Sequence, residues 1–441
     1  GATTNTAKGT IRWNETKNDF EGYNGSIWLS LTGNKGSWGS KESLSYQNDV
    51  TSIKLNSGAN GFGTHFGTSM AASEDYLLAG APTNYNTNDG FVAAGTVHIL
   101  KKNDAVWSSY NVAELASPSA APSERFGSSV SISGNRFVVG APGSNQNRGR
   151  IYIFSISVNG QVVQQPLFNP VALDVNDFFG SSISVSGNTI MVGSPGKAVN
   201  GNVSQGKVFL FQYNLINQVW NYSGNELVAP DGHANDNFGS AISVSGNYAA
   251  IGAPGAEIGT AYNAGKVYLY KLVGNNWQYE SAVEMPTAIG HDRFGADLFL
   301  KNDTLVVGAQ QYNGFVDTDG KGKVFVYVRN GALWELQATL TASDGKRSDS
   351  FGSAVYLNNG HIIVGAKYAT VSTLMAAGKA YIFKNSNGSW EEQAVLAPSN
   401  PQYFGEFGYS VMMNSQTAFV GAPETDYSGR PANGLIYFFH Q

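Results

Sequence analysis

Short runs in which apolar and polar residues alternate follow one another along most of this chain. Between 128 and 161 they read SSVSIS, a Gly134-Asn135 pair, RFVVGAP, a polar GSNQNRG, RIYIFSIS and NGQ. Alternation with period two marks a half-buried strand, and Gly-Asn between two such runs marks a tight hairpin turn. The pattern predicts three clear strands and a rougher fourth before it starts again.

It starts again seven times. A Phe-Gly pair begins at Phe66, Phe126, Phe179, Phe238, Phe294, Phe351 and Phe407, and fourteen positions after each begins a Gly-Ala-Pro-like triplet, at Gly80, Gly140, Gly193, Gly252, Gly308, Gly365 and Gly421. The third strands read TVHIL, KVFLF, KVYLY, KVFVY, KAYIF and LIYFF, and fourth strands open near Trp107, Trp220, Trp277, Trp334 and Trp390. A period of this length means one supersecondary unit per repeat. The last unit has no fourth strand of its own, while TSIKL (51–55) precedes the first Phe-Gly with the spacing of a fourth strand. That strand is expected to complete the last unit and close a ring, which abolishes exposed sheet ends. The prediction is an all-β, seven-bladed β-propeller of four-stranded blades over 41–441, preceded by a short β-hairpin extension over 1–40.

The motif residues have structural work in this reading. Glycine permits close backbone approach, Phe fills the wedge between sheets, and Pro ends the second strand. The acidic residue two places before Phe-Gly (Glu124, Asp177, Asp236, Asp292, Asp349) is expected to cap a turn by accepting backbone N–H bonds.

At these motifs, over about residues 45 to 441, the chain resembles the FG-GAP repeat family, known from the integrin α-subunit head and from many bacterial surface proteins. The resemblance implies a seven-bladed propeller on an extracellular or cell-surface protein. Integrin-type repeats carry a calcium loop between Phe-Gly and Gly-Ala-Pro; here that interval holds short turns such as Ser186-Gly187-Asn188. Calcium needs six to eight oxygens, which a tight hairpin does not supply. The units look like a shorter, metal-free bacterial variant, so neither metal nor cofactor is expected. Asp317-Thr318-Asp319-Gly320 falls in a different loop and reads as a polar turn. Residues 8 to 31 resemble a short hairpin module of secreted bacterial and tail-fibre-like proteins, expected as two strands, with Trp13, Phe20, Tyr23 and Trp28 as an apolar patch for oligomer formation.

Composition narrows the function. Only 13% of residues are charged, the net charge is −5, and no basic stripe occurs, which argues against nucleic-acid binding. There is no Cys, hence no disulfide or Cys-ligated metal. No apolar run reaches the roughly 18 residues of a membrane span, and the opening GATTNTAKGT reads as a mature or trimmed start. Six dispersed His and scattered carboxylates form no nucleophile elbow, phosphate loop or glycosidase pair, so no catalytic residue is assigned and the protein is read as a non-enzyme. His233 and His291, near Asp231 and Asp292, are read as solvated pairs.

Strand order puts the turns between strands one and two, and three and four, on one face. The loops between strands two and three, and between blades, fall on the other. These are longer, differ from unit to unit, and are rich in Tyr, Asn, Thr, Ser and Gly, a composition suited to binding loops. Tyr85, Asp89, Arg148, Tyr262, Asp317, Tyr427 and Arg430 are the candidate ligand-binding residues. The expected function is adhesion-type, lectin-like recognition of a glycan or extracellular protein through this long-loop face. A structural or fibre component is the alternative, and a polysaccharide lyase or hydrolase comes third.

Overall fold

The computed structural model describes residues 11–14, 19–23, 28–30, 53–54 and 63–440, except 84, 87–91, 104–105, 120, 169–170, 289, 311–319, 415–416 and 427–431. Seven antiparallel sheets, one per repeat, form the propeller. Blade 4 is typical: Ala241–Ser245, Tyr248–Ala253, Lys266–Val273 and Asn276–Val283 pair in sequence order. Blades are numbered from the one that begins at Phe66. In blade 7, Ile53–Lys54 pairs antiparallel with Leu435–His440, so the strand before the first repeat closes the ring as expected. Blade 2 has a short fourth strand, Val162–Gln164, and the following Leu167–Phe168 joins blade 3 in parallel beside Trp220.

The extension departs from expectation. It holds three strands, Ile11–Asn14, Asp19–Tyr23 and Trp28–Ser30, in a meander. Two turn signals divide a chain into three strands, not two. The side chains of Trp13, Phe20, Tyr23 and Trp28 lie outside the described residues.

The seven motif Phe side chains are all fully buried. Each meets its own blade's third strand edge-on: Phe238 lies 5.5 Å from Tyr268 and 6.2 Å from Tyr270, ring to ring. The same Phe sits in a cluster with residues of the preceding blade, such as Met191, Val208 and Leu210. It therefore seals one blade to the next, and such burial contributes about 1.5–3 kcal/mol per side chain.

The glycines follow from backbone geometry. Phe-Gly forms the middle of a four-residue turn in which, for example, Ser128 N–H donates to Arg125 C=O at 3.1 Å. Gly127 adopts φ +92°, the positive value that the third residue of such a turn requires. The residue before each Phe is also left-handed, from His65 (φ 51°) to Arg125 (φ 58°), although none is glycine. A third repeated glycine, unremarked in the sequence reading, opens each third strand. A Cβ on Gly206 would lie 2.1 Å from the carbonyl oxygen of Phe238 in the next blade.

First strands line a central cavity of about 440 Å³. Their inner edges would expose unpaired N–H groups, and serines of the preceding blade satisfy several. The Ser131 hydroxyl accepts from Val185 N–H at 3.0 Å, Ser184 from Val244 at 3.0 Å, and Ser243 from Leu300 at 2.9 Å. The equivalent positions in later blades are Phe299, Tyr356 and Met412, so this serine device belongs to blades 2 to 4.

Candidate functional site

The long-loop face is partly scaffold. In blades 3, 4 and 6 the loops between strands two and three share one conformation, each with a small bridge: Val199 to Asn202, Ile258 to Ala261, Val371 to Leu374. Each then presents one exposed apolar residue, Val203, Tyr262 or Met375 (64%, 65% and 55% exposed). Their carbonyls accept N–H bonds from the next blade: Asn235 at 2.9 Å, His291 at 2.7 Å and Phe404 at 3.0 Å. This corrects the expectation that every such loop is unit-specific. Backbone hydrogen bonds constrain conformation and leave side chains free, so unlike sequences build one seal.

A cleft of about 500 Å³ opens on this face between blades 6 and 7. Arg347 lines it from the loop entering blade 6, Tyr368 and Met375 from blade 6, and Phe404 and Glu406 from the loop entering blade 7. Phe404 is left-handed (φ 56°) and half exposed, which a bulky residue adopts only where surrounding contacts impose it. Here its N–H is held by Met375 C=O. Tyr403 meets Phe404 in a T-shaped pair 4.5 Å apart, and its hydroxyl lies 3.7 Å from Met375 Sδ. Three large exposed side chains thus form one rim.

Beside Tyr368, a cleft residue, stands Lys367, and on its other side Tyr409, which lines the channel. Lys367 occupies the place that Pro82, Pro142, Pro195, Pro254 and Pro423 hold in other blades. Its ammonium lies 4.6 Å from the Tyr409 ring centroid and 5.0 Å from that of Tyr368. Burial pulls its pKa down; Glu406 opposes that, Arg293 adds to it and Glu424 opposes it. Burial holds Glu406 above the usual carboxylate range, against the pull of Lys367 and with the push of Glu424. His65 Nε2 is 3.2 Å from Glu424, and its Nδ1 is 2.6 Å from Thr83 Oγ1.

The sequence profile described as FG-GAP repeat matches four segments, residues 110–154, 173–211, 224–270 and 334–383. The first, third and fourth of these reach from one blade's fourth strand to the next blade's third, which is the register that ring closure requires. Four segments of the chain are thus FG-GAP repeats, and the chain folds as a propeller. Among solved structures, 458 chains match, so the fold is common and does not by itself choose a function. One is a proposed 6-phosphogluconolactonase from Bacteroides uniformis: TM-score 0.50, 12% identity, 76% of this chain and 86% of that chain covered. At that identity the likeness shows the fold alone. Among curated proteins, no sequence matches.

Of the residues expected to bind ligand on this FG-GAP propeller, Arg148 and Tyr262 are placed, on the loops of blades 2 and 4. Arg148 is half-buried and donates to Asn145 C=O at 3.3 Å and Gln146 at 3.5 Å, so it holds its own loop. Tyr262 is exposed and is one of the three loop-tip residues. Asp89, Asp317, Tyr427, Arg430 and the side chain of Tyr85 lie outside the described residues; the backbone of Tyr85 belongs to the short strand Tyr85–Asn86. The cleft residues were missed because they are dispersed. Their one sequence signal was Lys367 in place of the repeat's proline.

Among the described residues the acidic cap is seen at three positions. Asp177 accepts Asp174 N–H at 2.6 Å, Asp236 accepts His233 N–H at 2.7 Å, and Asp349 accepts Lys346 N–H at 2.7 Å. Glu124 differs: it takes the hydroxyls of Ser119 and Tyr152, each at 2.6 Å, because its longer side chain reaches past the turn. Asp231 is not a solvated partner of His233; it accepts from Lys266 Nζ and the Tyr268 hydroxyl, both at 2.8 Å. In the channel, Asp297 stands where four other blades carry Ser69, Ser129, Ser182 and Ser410, and accepts Val355 N–H at 2.7 Å. Burial pushes its pKa up to about 6. No helix among the described residues is long and apolar enough to cross a membrane.

Proposed function

We propose that this propeller is a non-catalytic, extracellular recognition module that binds a glycan in the cleft between blades 6 and 7. The observation that carries the reading is the exposed group of Tyr403, Phe404 and Met375 at a cleft that Ser348, Thr370 and Glu406 also line. Concave sites with apolar walls and a few convergent polar groups are the usual form of small-ligand sites. Aromatic faces supply stacking area, and the adjoining Tyr368, Thr370 and Glu406 supply hydrogen-bonding groups.

A glycan array with wild type and Phe404→Ala tests it. Wild type is expected to bind a defined set of oligosaccharides, with no loss on chelation, and the variant to lose that set while keeping its melting temperature. An empty array, or a variant that binds as wild type does, would overturn it. A second reading, a polysaccharide-cleaving enzyme, is favoured by Glu406 and Glu424 gathered with His65 and Lys367 at the channel mouth. Release of new reducing or unsaturated ends from a bound polysaccharide would support it, and intact product after long incubation would exclude it.

A further inference from the structure

Lys367 is an unusual cation. Among the described residues its ammonium makes no hydrogen bond and no ion pair; its contacts are the rings of Tyr368 and Tyr409. A half-buried ammonium normally takes an oxygen acceptor, and one without calls for explanation. Its ring neighbours adjoin the two openings of the site: Tyr368 lines the cleft and Tyr409 lines the channel. Arg347, on the outer cleft wall, is exposed and also carries no ion pair or hydrogen bond among the described residues. Of the carboxylates nearby, Asp349 and Glu406 line the cleft itself, and the half-buried Glu406 side chain makes no hydrogen bond among the described residues. Asp349 holds Lys346 N–H, and Glu424 faces His65. Arg347 is the cation that lines the cleft, together with Phe404 and Met375, and Lys367 adjoins the cleft through Tyr368.

We propose that the cleft takes an acidic carbohydrate, with a uronic acid carboxylate on the Lys367 ammonium and a sugar face on Phe404. This rests on the glycan-recognition reading above and adds the charge of the ligand to it. A carboxylate supplies the acceptor that Lys367 lacks, in a charge-assisted bond, which is about twice as strong as a neutral one. The tyrosine rings keep the ammonium partly desolvated and aimed, so little ordering is needed on binding. A volume of about 500 Å³ accommodates a short oligosaccharide.

The experiment uses the full chain and calorimetric titration with a galacturonate trisaccharide and its methyl ester, which keeps the rings and removes the charge. The acid is expected to bind about tenfold or more tightly than the ester, a difference that shrinks as salt rises. Lys367→Met is expected to bring acid and ester to the same affinity. Lys367→Pro, the residue five other blades carry, is a second variant less liable to misfold. Equal affinity for acid and ester, or a preference that survives both variants, would overturn the inference. If Phe404→Ala still abolished that equal binding, glycan recognition would stand without it. If acid, ester and every neutral glycan on the array failed to bind, both readings would fall.

Discussion

A Cβ on Gly80 would lie 2.0 Å from the carbonyl oxygen of Gly127, one blade away. The two motifs of the repeat therefore explain each other: the Phe-Gly glycine of one blade presses its carbonyl against the Gly-Ala-Pro glycine of the blade before. The contact is backbone on backbone, so no rotamer change relieves it. Gly80→Ala is expected to cost about 3 kcal/mol or more, as severe overpacking does. Gly134→Ala, at a turn with φ +61° and open space around its Cβ, should cost only about 1 kcal/mol. Urea midpoints of the two variants check the ordering, and equal losses would refute the interblade contact.

Asp297 is expected to destabilise the fold at neutral pH. Its folded pKa of about 6 lies above the ordinary 3.8, so the folded state holds the proton more tightly than the unfolded chain. No penalty exists below 3.8; it grows as pH rises to 6 and then stays constant. The shift corresponds to at most about 3 kcal/mol, reduced by water in the channel. Asp297→Asn keeps an oxygen for Val355 N–H and removes the charge. The variant should be more stable than wild type at pH 7, with the gain vanishing toward pH 4, as followed by denaturant titration.

His98 should give the opposite slope. It is buried against the edge of Phe66, and burial pulls its pKa down to about 3 from 6.5. The unfolded chain then binds more protons below 6.5, and stability falls as pH drops. At pH 5 the loss is about 2 kcal/mol. Glu114 lies 4.0 Å away, and an ion pair with it would reverse the sign. Burial wins, because that distance is at the limit of pairing and Glu114 is half exposed. His98→Phe should be less sensitive than wild type between pH 7.5 and 5; a wild type that gains stability on acidification would restore the ion pair.

Ser184 contributes to the inner edge through one bond. Ser184→Ala leaves Val244 N–H unpaired at the channel wall and should cost about 1–2 kcal/mol. Exchange of the Val244 amide should speed up with it, while the amides of Phe209 and Leu210, inside blade 3, stay protected. Unchanged exchange at Val244 would show that channel water replaces the hydroxyl.

Much of the architecture was legible because it is local and periodic. Alternation located the strands, Gly-Asn pairs located the turns, and the spacing of Leu55 to Phe66 predicted the closing strand. The loops were misjudged where side chains were taken as the guide, since Val203, Tyr262 and Met375 occupy one backbone position although they differ in shape and size. The glycine that opens each third strand escaped notice because its partner is the next blade's Phe, and its distance from its own Phe varies with loop length.

The sequence by itself determined the strand count, the sevenfold repeat and the ring, because each depends on a pattern confined to one unit and its successor. Only the tertiary structure brought the residues of the proposed site together. Arg347, Lys367, Met375 and Phe404 are spread over almost sixty residues and three segments, and become neighbours when two loops dock on the next blade. Side-chain direction also lies beyond any one-dimensional pattern. Lys367 reads as a lapse from the repeat's proline, and becomes a site only when its ammonium is found between two tyrosine rings with no oxygen to hold.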